Sequence, residues 1–155
     1  MTALPSRRAV AVLGAVSAGL LLLSACDKPT PMATITVGSN SVSSQAGRDC
    51  YNDGKTVSTE MLVKCLKSKD VKSITVDPDA TVRFGVDPDI ADKGWTILMN
   101  GQPLTDSSNK TYRTIPGSVF FNAQYGASGN STLVSVKAGE NTVTGLWSFK
   151  LKKGS

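Results

Sequence analysis

Three features of the sequence predict a mainly β fold: an immunoglobulin-like antiparallel β-sandwich with one short disulfide-pinned helix near the N-terminus of the mature domain. From residue 72 onward, apolar residues recur at every second position in short runs, the period of a strand with one buried face. Asn-Gly, Asp-Pro and glycine-rich segments separate these runs at the spacing of a two-sheet sandwich. Cys50 and Cys65 bracket a stretch whose apolar spacing is helical instead. A small half-open barrel is the alternative architecture.

Each element has its own warrant. Residues 33–37 read as an early strand. Between the cysteines, Val57, Met61, Leu62, Cys65 and Leu66 fall on one helical face, with Glu60, Lys64 and Lys67 away from it, so one helix is expected, capped by Ser58 or Thr56. This helical insertion is expected before the second strand of the sandwich. Ile74 and Val76 alternate with Ser73 and Thr75, and Val82, Phe84 and Val86 with Thr81, Arg83 and Gly85. Trp95, Ile97 and Met99 form the next inward set, closed by Asn100-Gly101, the strongest two-residue hairpin turn. Further strands are expected over residues 110–115, 118–122, 132–137 and 146–152. In the last of these, Trp147, Phe149 and Leu151 point one way and Ser148, Lys150 and Lys152 the other. In an antibody-type sandwich two cysteines join facing strands around a tryptophan, whereas here both precede Trp95, so no antibody-like binding loop follows from the architecture.

Residues 1–25 carry a basic start at Arg7 and Arg8, an apolar run over 9–23, and the ending Leu23-Ser24-Ala25 before Cys26. This is the pattern of a lipoprotein signal peptide: small residues admit the peptidase, and the Cys26 thiol takes a diacylglycerol before becoming the new N-terminus. The apolar run is shorter than a membrane-spanning helix needs and contains Gly14 and Gly19. Ser6-Arg7-Arg8 also leaves a twin-arginine export route open beside the general secretory one. Residues 26–32, with Pro29 and Pro31, read as the lipidated cysteine and an extended spacer that lifts the domain, residues 33–155, off the bilayer. The expected location is the extracytoplasmic face of the cell membrane, with the lipid anchor on Cys26 as the membrane contact.

The remaining two of the three cysteines, Cys50 and Cys65, then read as a disulfide, since an exported pair is oxidised. A reactive thiol would need a close C-x-x-C spacing or a basic partner such as histidine. The chain of 155 residues contains no histidine, which excludes Ser-His-Asp and Cys-His catalysis and imidazole metal sites. With 17 basic and 12 acidic residues the net charge is +5, falling to +3 once Arg7 and Arg8 leave with the leader, too weak to indicate nucleic acid.

Four constellations remain. Val76-Asp77-Pro78-Asp79 recurs as Val86-Asp87-Pro88-Asp89, and a calcium site would draw on Asp87, Asp89 and Asp92, because a strand separates the two motifs. Proline presetting a turn, with aspartate bonding the nearby backbone, explains both copies without an ion. The segment 126–132 is glycine-rich but lacks the lysine and helix of a phosphate loop, and no cofactor is expected. Glu60 and Glu140 are the only glutamates available for carboxylate-pair hydrolysis. Phe120 and Phe121 would face opposite sides of a strand, so with Tyr125 nearby they form a candidate partner contact.

The lipobox, Cys26-Asp27-Lys28-Pro29, Cys50-Tyr51-Asn52-Asp53-Gly54, Arg83-Phe84-Gly85-Val86-Asp87-Pro88, Gly94-Trp95 and Gly145-Leu146-Trp147 together resemble a family of small actinobacterial lipoproteins known as a domain of unknown function. The resemblance covers nearly the whole chain and implies an exported, membrane-anchored protein; it supplies no activity, catalytic residue or ligand. The expected role is a non-catalytic binding or envelope-structural module with a protein or cell-wall partner. The rival classes are a carboxylate-dependent enzyme acting on cell-wall material and a calcium-dependent ligand-binding protein.

Overall fold

The computed structural model describes residues 28–155. The leader, its lipobox and Cys26 lie outside the described residues. In chain order the elements are strands β1 (Met32–Val37) and β2 (Asn40–Gln45), helix α1 (Thr59–Leu66), strands β3 (Lys72–Val76) and β4 (Thr81–Val86), the single turn α2 (Pro88–Ala91), strands β5 (Trp95–Met99), β6 (Gln102–Pro103) and β7 (Tyr112–Pro116), two 3-10 turns (Gly117–Phe121 and Ala123–Tyr125), and strands β8 (Ser131–Ala138) and β9 (Gly145–Lys153).

They form two facing sheets, ordered β2-β1-β4-β7 and β3-β9-β8-β5-β6. The immunoglobulin-like sandwich is present: β1, β4 and β7 occupy the places of strands A, B and E, and β5, β8 and β9 those of C, F and G. Every pairing is antiparallel except β3 with β9, which run parallel and make the second sheet mixed. Alternation built the interior as expected. Ile35, Val82, Phe84 and Val86 from one sheet meet Trp95, Ile97, Val134, Val136, Trp147, Phe149 and Leu151 from the other, all buried. Burying each such side chain is worth about 1.5–3 kcal/mol. Asn100 and Gly101, both at positive φ, make the tight hairpin between β5 and β6.

Strand β5 is buried on both faces. Its outer face is covered by α1, where Leu98, Leu146 and Cys65 form a second apolar cluster with Cys50, Leu62 and Leu66 packed against it. Ser58 caps the helix, its hydroxyl accepting from the Met61 amide. The Cys50–Cys65 disulfide, with Cα atoms 5.8 Å apart, fastens this helix to the start of β9 through the Leu146 amide, which donates to the Cys50 carbonyl.

Four local expectations are corrected. The second strand is β2, which precedes the helix; its sequence NSVSSQ has a single aliphatic residue and no alternation, so periodicity does not reveal it. Residues 118–122 are not a strand: the segment coils as a 3-10 turn after Pro116, where Gly117 approaches the carbonyls of Asp77 and Ala80 too closely to carry a side chain. The strand expected over 110–115 begins at Tyr112 and runs to Pro116. The last two residues of the expected spacer do not stand free, since Pro31 is buried and Met32 already belongs to β1, while Lys28 and Pro29 are exposed.

Candidate functional site

Strand directions define two poles. The chain arrives at the first, the N-terminal pole, which also holds the end of β4, α2, the start of β5 and the β8–β9 turn. The distal pole holds the Asp77–Ala80 turn, the β5–β6 hairpin and the segment 117–131.

At the N-terminal pole an open groove of about 370 Å³ lies among Tyr51, Asp53, Lys55, Asp89, Asp92 and Lys93, with Lys28 at its edge and Trp147 beneath. The loop after Cys50 forms one wall because it is stitched to its neighbours. Tyr51 bridges to Gly145, and the Val57 amide donates to the Val143 carbonyl at 2.7 Å. Gly145 permits this closeness, for a side chain there would collide with the rings of Trp147 and Tyr51, whose centroids are 5.8 Å apart. Partial burial pushes the Tyr51 phenol above its ordinary pKa, with the nearby Asp53 and Asp89 carboxylates adding to the shift.

The incoming segment is laced to this pole. The Trp147 indole donates to the Pro31 carbonyl at 2.7 Å, the Met32 amide to the Asp87 carboxylate at 2.8 Å, and the Asp87 amide to the Met32 carbonyl at 3.0 Å. Lys28 pairs with Asp89, which holds the ammonium above its ordinary pKa. Two of the three carboxylates considered for calcium are therefore engaged with the entering chain, while Asp92 is exposed. Among the described residues no group of three acidic or cysteine side chains could hold an ion. The two Asp-Pro motifs lie at opposite poles and use their aspartates differently: Asp77 accepts from the Asp79 amide at 3.0 Å in a local turn, whereas Asp87 reaches a residue far away in sequence.

At the distal pole the aromatic triplet separates by depth. Phe120 is fully buried, its ring 5.9 Å from that of Phe84, and its carbonyl accepts from the Thr132 hydroxyl at 2.6 Å. Phe121 is half-buried against the core. Tyr125 is 54% exposed on the second 3-10 turn. Asn122 caps that turn through the Gln124 amide, and Asn100 donates to the Gly126 carbonyl at 3.0 Å, so the exposed ring stands on an ordered support. An open groove of about 290 Å³ beside it is lined by Met99, Gln102, Pro103, Leu104, Gln124 and Tyr125. The opposition of faces expected for Phe120 and Phe121 assumed a strand; the 3-10 turn sends Phe120 inward and leaves Tyr125 as the outward aromatic.

Sequence reasoning missed Trp147 as the residue that receives the incoming chain. Its pattern marked it as core, and nothing local indicated that its indole would bond a carbonyl 116 positions away.

No protein-family model matches the chain, and no curated protein matches it. Among solved structures it is similar to fibronectin(III)-like modules of Clostridium thermocellum CbhA, at 12% identity, covering 57% of this chain and 95% of that one, with a TM-score of 0.37. A likeness of that degree carries no argument about this chain.

Proposed function

We propose that the protein is a lipid-anchored extracytoplasmic module that binds a protein or cell-wall partner without catalysing a reaction. The observation that carries this reading is the division of the sandwich into two poles: the chain arrives, bonded, at one, and the exposed Tyr125 stands on a capped turn at the other. A side chain with a large flat apolar body and a polar tip, fixed in place, is suited to contact at little cost in conformational entropy.

The acidic side chains support the non-catalytic part. Glu60 is exposed on α1, and Glu140 is exposed in the turn between β8 and β9. Neither lies in an enclosed cleft of the kind in which a carboxylate pair would flank a substrate bond.

Two measurements test the reading. Cys26→Ser should prevent acylation and move the protein out of the detergent-soluble membrane fraction; retention there would mean that something other than the lipid holds it. Tyr125→Ala should reduce capture of partners crosslinked on intact cells while leaving the melting temperature nearly unchanged. Full capture by that variant would remove the distal pole from the reading.

A further inference from the structure

We propose that the N-terminal pole rests on the headgroup layer of the bilayer that holds the protein, so that the groove at Tyr51 opens onto the membrane surface and the Tyr125 pole faces away. This rests on the lipid-anchor reading and adds an orientation to it.

The argument is one of chain length. The end of the spacer expected at residues 26–32 is taken up by the fold: Pro31 is bonded to Trp147 and Met32 is bonded twice to Asp87, while the exposed Lys28 side chain reaches Asp89. From Cys26 to Pro31, the first residue held by a buried bond, there are five residue steps, which reach roughly 17 Å when fully extended, well short of the length of the sandwich. The nine residues of β9 carry the sandwich some 30 Å away from that pole. A body of that length on so short a lead cannot turn its distal pole to the bilayer; the surface nearest Lys28 meets the headgroups first.

Charge does not drive the contact. The groove is lined by Lys28, Lys55 and Lys93 and by Asp53, Asp89 and Asp92, a balanced set with no net attraction to anionic lipid. The tether alone imposes the orientation, and the domain without its lipid would have no affinity for the membrane.

The chain's two tryptophans both lie toward this pole, Trp95 opening β5 and Trp147 near the start of β9. They serve as native reporters. Full-length acylated protein in vesicles of phosphatidylglycerol and phosphatidylethanolamine, doped with headgroup-dansylated lipid, should show strong tryptophan-to-dansyl energy transfer. A long flexible Gly-Ser segment inserted between Asp27 and Lys28 should lower that transfer severalfold while the protein still floats with the vesicles. Equal transfer in the two proteins, both floating, would overturn the orientation and leave the anchor standing. Failure of the unmodified chain to float would overturn both. High salt should leave the transfer unchanged, and a salt-induced loss would show that charge rather than tether length holds the pole down, contrary to the proposal.

Discussion

Trp147 combines three tasks that separate only at the level of single atoms. Its ring fills the interior, it lies under Tyr51 in the groove, and its indole nitrogen holds the carbonyl of Pro31. Trp147→Ala should therefore cost about 3–5 kcal/mol through the cavity alone, read as a lowered denaturant midpoint. Trp147→Phe keeps most of the volume and drops the indole donor, so it isolates the bond: a loss of about 1–3 kcal/mol is expected, because the Pro31 carbonyl is left without its buried partner. Lys28 and Tyr51 give the same pole a pH dependence. Both have folded-state pKa values above their ordinary ones, so each contributes stability that is present below the ordinary value and declines as the pH rises beyond it. The expected outcome is a falling melting temperature on the alkaline side, starting where free tyrosine ionises, with the Tyr51 phenol, followed by the absorbance difference between the protein and its Tyr51→Phe variant, ionising above the free value. Tyr51→Phe should remove the tyrosine share of that decline; an unchanged alkaline limb in this variant would show that the phenol is not its source.

At the scale of elements, helix α1 is eight residues long and would not persist alone in water. It depends on Leu98 and Leu146 beneath it and on the bond between Cys50 and Cys65. The bridge closes a loop with a sequence separation of 15, for which chain-entropy reasoning gives about 3 kcal/mol. Cys65→Ala should accordingly lower stability by about 2–5 kcal/mol, and thiol labelling of the unfolded, unreduced mature protein should find no free sulfhydryl. Two labelled thiols would mean that packing alone holds the helix. The two successive 3-10 turns between Gly117 and Tyr125 offer a contrast between neighbours. Phe120→Ala should cost about 3–5 kcal/mol, as its ring is enclosed, whereas Tyr125→Ala should stay within about 0.5 kcal/mol. Comparing the two by melt and by partner capture separates a support from a contact.

For the molecule as a whole, the sandwich turns a linear order into two ends with different neighbours. The Asp87 turn and the Tyr51 loop share the N-terminal pole with the incoming chain, and the Asp77 turn shares the distal pole with Tyr125. One side of the sandwich is closed by contact between the sheets, where β2 approaches β3 and the Lys72 ammonium donates to the Ser43 carbonyl at 2.6 Å. That contact covers an edge that would otherwise offer free backbone groups for pairing.

The period-two runs, the Asn100-Gly101 turn and the helical spacing between Cys50 and Cys65 determined the fold class, the helix and most of the core. These features are local: each depends on a residue's own side chain and its near neighbours in sequence. Strand β2 was illegible because a polar edge strand has no apolar rhythm and forms only when β1 offers its hydrogen bonds. The parallel pairing of β3 with β9 joins residues some 77 apart, a choice made by sheet closure. The same holds for the site. Tyr125 could be named from sequence, but its depth relative to Phe120 depended on whether the segment coiled or extended. Only the tertiary structure decided that Pro31 and Met32 are held by the sandwich, because the partners that bind them, Trp147 and Asp87, are brought to one pole by the packing of both sheets.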